Sequence, residues 1–122
     1  MHILKTKPFN RWAEELELSD FALVKAIDEM SNGLYEANLG GHVYKKRMAI
    51  AERGKKGGVR TIVAFRIQKT AIFMYGFSKN TRDNISKKEE KALKELAKIY
   101  FHYDEKQIHQ AIKVGELIEV LR

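Results

Sequence analysis

Between residues 43 and 77 the side chains alternate with a period of two in one run after another, a pattern that suits strands and does not suit helices. In the first run, residues 43–50, Tyr44, Met48 and Ile50 point one way while Val43, Lys45, Arg47 and Ala49 point the other, and Lys46 interrupts the apolar side. The second run, residues 60–67, repeats the pattern with Thr61, Val63, Phe65 and Ile67 toward a core and Arg60 and Arg66 opposite. After a turn near Gln68 and Lys69, residues 71–77 are apolar on both faces, which marks the most buried strand. The three runs predict a three-stranded antiparallel meander in which Lys45, Arg47 and Arg60 share one sheet face.

Helical signals flank this block. After a short extended start at residues 2–5, Pro8 suits the opening turn of a helix, and Phe9, Trp12, Ala13 and Leu16 recur on one face. Ser19 reads as the N-cap of a second helix that puts Leu23, Ile27 and Met30 on one stripe, carries Asp20 in its first turn and stops at Gly33. These two helices predict an N-terminal, acidic helical hairpin. Ser86 and Glu89 form a capping box that opens a third helix, with Leu93, Leu96, Tyr100 and Phe101 inward. Asp104 with Gln107 caps a fourth that ends before Gly115, and residues 116–121 form a terminal strand or an extended tail. The expected fold class is α+β, with the hairpin packed on a small antiparallel sheet and C-terminal helices following.

A chain of 122 residues, 44% hydrophobic, has material for one core, so residues 1–122 are expected to be a single domain. There is no cysteine, which removes disulfides, a thiol nucleophile and thiolate metal sites from consideration. The start of the chain lacks the apolar segment of a signal peptide, and no stretch approaches the roughly 18 apolar residues of a membrane span. The expectation is a cytoplasmic protein without a membrane partner.

Charge is distributed unevenly. Residues 1–40 hold four Lys/Arg against seven Asp/Glu, residues 41–83 eleven against two, and residues 84–122 eight against seven, so the net charges are −3, +9 and +1 within the total of +7. Such concentration in one third of a chain is the electrostatic footprint of a polyanion binder. Within it, Gly54, Gly57 and Gly58 would let backbone N–H groups approach a phosphate, and Arg53, Lys55, Lys56 and Arg60 supply charge. Two adjacent glycines between alternating runs equally make a plain hairpin turn. The segment is not a nucleotide P-loop: it lacks the Gly-Lys-Ser/Thr ending and a following helix. Lys87, Lys91, Lys94 and Lys98 line one outer face of the third helix, a stripe that suits solvent as well as nucleic acid. No residues stand at metal-ligand spacing, and neither metal nor cofactor is expected.

Taken together, Lys45-x-Arg47, Gly54-Lys55-Lys56-Gly57-Gly58-x-Arg60-Thr61, Lys79-Asn80 and Asp83-Asn84-Ile85-Ser86-x-x-Glu89 resemble the RelE/HigB-like toxins of bacterial type II toxin–antitoxin systems. The resemblance covers nearly the whole chain and is strongest over residues 39–96. It implies a small α+β domain with a twisted sheet, and a ribosome-dependent, metal-independent endoribonuclease acting on messenger RNA. It also implies a cognate antitoxin, commonly of the helix-turn-helix type. The implied catalytic residues are Arg60 for charge stabilisation, Lys55 or Lys56 as base, and Lys79 as acid or phosphate clamp, with Lys45, Arg47, Arg53 and Asn80 binding RNA. Several relatives use a C-terminal tyrosine or a histidine with a glutamate, and none is clearly placed here: Tyr100 has core spacing and His42 reads as a turn residue. Two alternatives stay open, a non-enzymatic inhibitor of DNA gyrase from the same superfamily and a plain nucleic-acid-binding module.

Overall fold

The computed structural model describes residues 1–50 and 58–122. The chain opens on a strand, β1 (His2–Thr6), followed by helices α1 (Lys7–Glu15) and α2 (Asp20–Ser31). Four strands come next, β2 (Ala37–Gly40), β3 (Val43–Met48), β4 (Val59–Arg66) and β5 (Thr70–Ser78), and then α3 (Lys87–Phe101), α4 (Glu105–Lys113) and β6 (Leu117–Glu119). The six strands form one sheet in the order β2-β3-β4-β5-β1-β6. β1 runs parallel to β5, and the other neighbours are antiparallel.

This corrects the expected architecture while leaving it α+β. There is no N-terminal helical hairpin: the first element is an inner strand, and α1 lies on β5, β1 and β6 while α2 lies on β3, so each helix packs on the sheet. The predicted meander is β3-β4-β5, but the sheet is larger and mixed. The extended start expected at residues 2–5 is β1, but its place inside the sheet was hidden because five residues carry too little periodicity and its partner β5 is remote in sequence, with His2 opposite Thr70. β2 is a four-residue edge strand with an exposed face.

Helices cover both sides of the sheet. On one side Phe9 and Ala13 of α1 and Leu23, Ala26, Ile27 and Met30 of α2 pack with Ile3, Met48, Val63, Phe65 and Phe73. On the other, Ala97 and Tyr100 of α3 and Ile108 and Ala111 of α4 pack with Leu4, Val43, Ile62, Ile72 and Phe77. Double coverage explains why β4 buries both its odd and its even residues up to Phe65, whereas the expected core position of Ile67 fails for a different reason. β4 ends at Arg66, and Ile67 stands 56% exposed beside Gln68, whose φ is 61°.

Local side chains close the helix starts, at α1 through a cap the sequence pattern did not mark. Thr6 caps α1 by accepting the Phe9 N–H, and its hydroxyl donates to the Met74 carbonyl. Both capping boxes, Ser86 with Glu89 and Asp104 with Gln107, are formed.

One irregularity shapes the site. Ile62 pairs with Tyr75 but Val63 with Phe73, so Met74 is an extra residue in β5, a β-bulge. Beyond it the strand changes phase: Tyr75 and Phe77 turn toward α3, and Gly76 turns toward Trp12.

Candidate nucleic-acid interface

The basic face is built by register. Arg47 on β3 lies directly opposite Arg60 on β4, and Arg60 opposite Phe77 on β5, so the three form a row across the sheet. The adjoining row on that face is Lys45, Ile62 and Tyr75. Because α3 begins only at Lys87, the segment after β5 has room to fold over this end, and it does so through named contacts. Lys45 Nζ donates to Asn84 Oδ1 at 3.4 Å, Lys79 Nζ to the Asp83 carbonyl at 3.1 Å, and the Arg82 guanidinium lies 5.9 Å from the Phe77 ring centre. Arg82 Nη1 also donates to the Tyr75 hydroxyl at 3.2 Å. Arginines and lysines of two strands and one loop are thereby gathered at one end of one sheet face.

A family model described as the RelE toxin of the RelE / RelB toxin-antitoxin system matches residues 1–120. The chain belongs to the RelE toxin family. It is therefore a toxin of a toxin–antitoxin system, with a cognate antitoxin as partner. No curated protein matches the chain.

In this RelE-family toxin the eight expected site residues fall into three groups. Lys45, Arg47 and Arg60 share the face described above. Lys79 and Asn80 follow Ser78, which pairs with Val59 next to Arg60, and so flank the same end; Lys79 is half-buried and Asn80 exposed. Arg53, Lys55 and Lys56 lie outside the described residues.

Arg47 is exposed, whereas Arg60 is buried at 7% exposure, and Arg60 Nε donates to Glu36 Oε1 at 2.7 Å. A carboxylate on the guanidinium fixes the plane of the fork and offsets part of the repulsion from Arg47. The lysine that broke the apolar alternation has a structural role. Lys46, on the opposite face, is buried with Nζ 2.8 Å from Glu29 and donating to the Leu34 carbonyl at 2.9 Å, and it holds the Glu29 carboxyl below its ordinary pKa. Gly58 has a φ of 55°, and a Cβ there would collide with the Met48 carbonyl oxygen, so the start of β4 requires this glycine sterically.

Two participants escaped the sequence reading. Arg82 grips Glu89 through both nitrogens, Nη2 to Oε1 at 2.6 Å and Nη1 to Oε2 at 3.0 Å. That grip, with the Ser86 N–H, pulls the Glu89 carboxyl down to about 2 and raises the Arg82 guanidinium further above its ordinary range. Its only trace in the sequence is the Glu of the capping box. Glu36 precedes the edge strand β2 and carried no signal.

Tyr100 is core, 7% exposed and pushed up to about 12 by burial and by Glu116. His42 is a turn residue with φ 63°. Among the described residues no group of three His, Asp or Glu side chains is arranged to hold a metal ion, and no helix is long and apolar enough to cross a membrane.

Proposed function

We propose that this toxin is a ribosome-dependent messenger-RNA endoribonuclease whose site is the basic end of the sheet. One observation carries the reading: in a RelE-family chain, Lys45, Arg47 and Arg60 are held on one face by strand register, with Lys79 and Asn80 flanking it. A binding surface for a phosphodiester needs only charge. Cleavage needs cations held at fixed positions around one phosphorus, and the Glu36 bond on Arg60 is the kind of support that fixes one.

The chemistry that suits these groups is attack of the ribose 2′-oxygen on its own adjacent phosphate. The new 2′-O–P bond forms as the P–O5′ bond breaks, leaving a 2′,3′-cyclic phosphate and a 5′-hydroxyl. The 2′-OH proton goes to a base and the departing 5′-oxygen takes one from an acid. Arg60, with Arg47 across from it, is assigned to the charge that builds on the nonbridging oxygens. Lys55 or Lys56 is assigned as base, and Lys79 as acid or clamp. In the latter role Lys79 would exchange its bond to the Asp83 carbonyl for a phosphate oxygen. Arg53 and Asn80, with Lys45, are assigned to the flanking backbone. The partners of this reading are the ribosome with its messenger RNA, and an antitoxin of the helix-turn-helix type.

Primer extension on a messenger RNA incubated with purified toxin, with and without 70S ribosomes, tests it beside Arg60→Ala and Lys79→Ala. New 5′ ends that require ribosomes and are lost in the variants support the reading. Folded toxin that cleaves nothing but inhibits DNA gyrase would replace it with the inhibitor alternative.

A further inference from the structure

We infer that the toxin carries a second phosphate-backbone site, a cleft between α3 and the far ends of β3 and β4, that holds structured RNA separately from the basic end of the sheet. The cleft has a volume of about 390 Å³ and is lined by His42, Arg66, Lys91, Lys94, Lys98 and His102 around Phe101. Arg66 lies six residues beyond Arg60 along β4, about 20 Å at the rise of an extended strand, so the two basic clusters occupy opposite ends of one face. α3 and α4 cover the sheet between them.

Three features of the cleft fit a polyanion. Two of its cations are fixed: the Arg66 guanidinium sits 4.5 Å from the centre of the Phe101 ring, which also meets His42 edge-on at 5.8 Å, and Lys94 lies over Gly40 and Gly41 and is held by Glu90 at 3.1 Å. Its charge is in excess among the described residues, where Arg66, Lys91, Lys94 and Lys98 face Glu95 as the one carboxylate in the lining. Lys91 and Lys98 are exposed and take part in no ion pair among the described residues. They stand seven residues apart on one helix face, about 10 Å at 1.5 Å per residue, a span that reaches neighbouring phosphates of a nucleic-acid strand.

An acidic protein segment is the competing occupant. An amphipathic peptide needs apolar anchors as well as charge, and among the described residues the one large apolar side chain in the lining, Phe101, is half-buried with Arg66 stacked on it. The lining therefore favours a partner that offers regularly spaced charge, and RNA duplex recognition rests mainly on backbone contacts of that kind.

The inference depends on the ribonuclease reading only for the choice of RNA as polyanion. The test measures binding of a fluorescein-labelled RNA duplex by anisotropy across a salt series, for the full chain and for Lys91→Glu/Lys98→Glu and Lys91→Arg/Lys98→Arg. The Glu pair is expected to lose affinity about tenfold or more and to flatten the plot of log K against log salt by roughly 2, as two lost phosphate contacts require. The Arg pair keeps both affinity and slope, which separates charge from a folding defect. Unchanged affinity and slope in the Glu pair would overturn the inference, as would polyglutamate binding in place of the duplex. Ribosome-dependent cleavage is measured on the same Glu pair. Lost duplex binding with no cleavage by any form retains the second site and removes the nuclease reading, and intact cleavage with unchanged duplex binding does the reverse.

Discussion

Arg82 and Glu89 close the segment after β5 onto the start of α3: the Glu89 oxygen that takes Arg82 Nη2 at 2.6 Å also accepts the Ser86 backbone N–H at 2.7 Å. One carboxylate thus fastens the loop and caps the helix, and the loop carries Lys79 and Asn80. Glu89→Gln keeps the size of the side chain and removes the charge that Arg82 grips. The expected result is a cleavage rate lower by about ten- to hundredfold through misplacement of the loop, with the far-ultraviolet circular dichroism unchanged. Equal cleavage by variant and parent in the ribosome assay would show that the loop is positioned without this pair.

The same pair predicts how the fold responds to acid. The Glu89 carboxyl is pulled down to about 2 from 4.5 by the Arg82 and Ser86 N–H bonds, and the Glu29 carboxyl is lowered by Lys46. For Asp20, burial opposes ionisation but is outweighed by the Lys5 and Leu121 N–H bonds, so its pKa is lowered as well. A folded pKa below the unfolded one means the unfolded chain binds protons first. Stability is therefore full above about 4.5 and is lost as pH falls toward about 2. Urea midpoints taken from neutral pH downward should drop through that window, and Glu89→Gln should drop less steeply. A midpoint that is flat through the window would contradict the linkage.

Gly76 reaches the core through the bulge at Met74, and a Cβ there would collide with the Trp12 ring. Gly76→Ala is expected to cost about 1–3 kcal/mol, the range for overpacking a filled site. Trp12→Leu in the same chain should return part of that loss, seen as a favourable coupling in a double-mutant cycle of chemical denaturation. Additive losses would place the strain elsewhere.

What was readable in the sequence was local. Ser86 with Glu89 and Asp104 with Gln107 act over three residues, and the parity of Lys45, Arg47 and Arg60 follows from strand geometry, so helix starts and the shared basic face were legible. The position of β1 between β5 and β6 was not, because its partners are remote in sequence and five residues show no period. The bulge at Met74 defeats parity altogether. Counted from Ala71 and Phe73, Tyr75 belongs on the α1 side of the sheet, yet the extra residue turns it to the α3 side, where its hydroxyl meets Arg82. Glu36 and Arg82 join the site by tertiary contact alone, and neither lies in a local pattern that marks such a role.

Lys46 is a buried cation whose partners are known, which makes its removal asymmetric. Lys46→Ala leaves the half-exposed Glu29 carboxylate and the Leu34 carbonyl without their donor, at a cost of about 1–3 kcal/mol, discounted for the access of water to Glu29. Lys46→Met keeps the packing of the stem and is expected to lose less. Because Lys46 faces α2 and not the basic face, both variants should retain the parent kcat when assayed below their melting temperatures. A fall in kcat matching that of Arg60→Ala would move Lys46 into the site.

At Glu36 binding and catalysis are expected to separate. Arg47 and Arg60 stand directly opposite on neighbouring strands, an arrangement that destabilises a sheet by a few tenths to 1 kcal/mol unless the charge is offset, and Glu36 is a partner that offsets it. Glu36→Gln should therefore lower stability by about 0.5–1 kcal/mol. It also makes the basic face more positive by one charge, so RNA affinity at low salt should rise. If Glu36 served only to neutralise, catalysis would follow affinity upward. If it orients the Arg60 fork, the two move apart: KM for the ribosome–messenger complex falls because binding strengthens, and kcat falls because the guanidinium no longer holds one plane. The second pattern is expected, since the 2.7 Å bond to Nε fixes the plane of an arginine that is 7% exposed. Arg60→Lys, which keeps the charge and loses the fork, should share the loss of kcat. A rise in kcat and affinity together for Glu36→Gln would reduce Glu36 to a counter-ion.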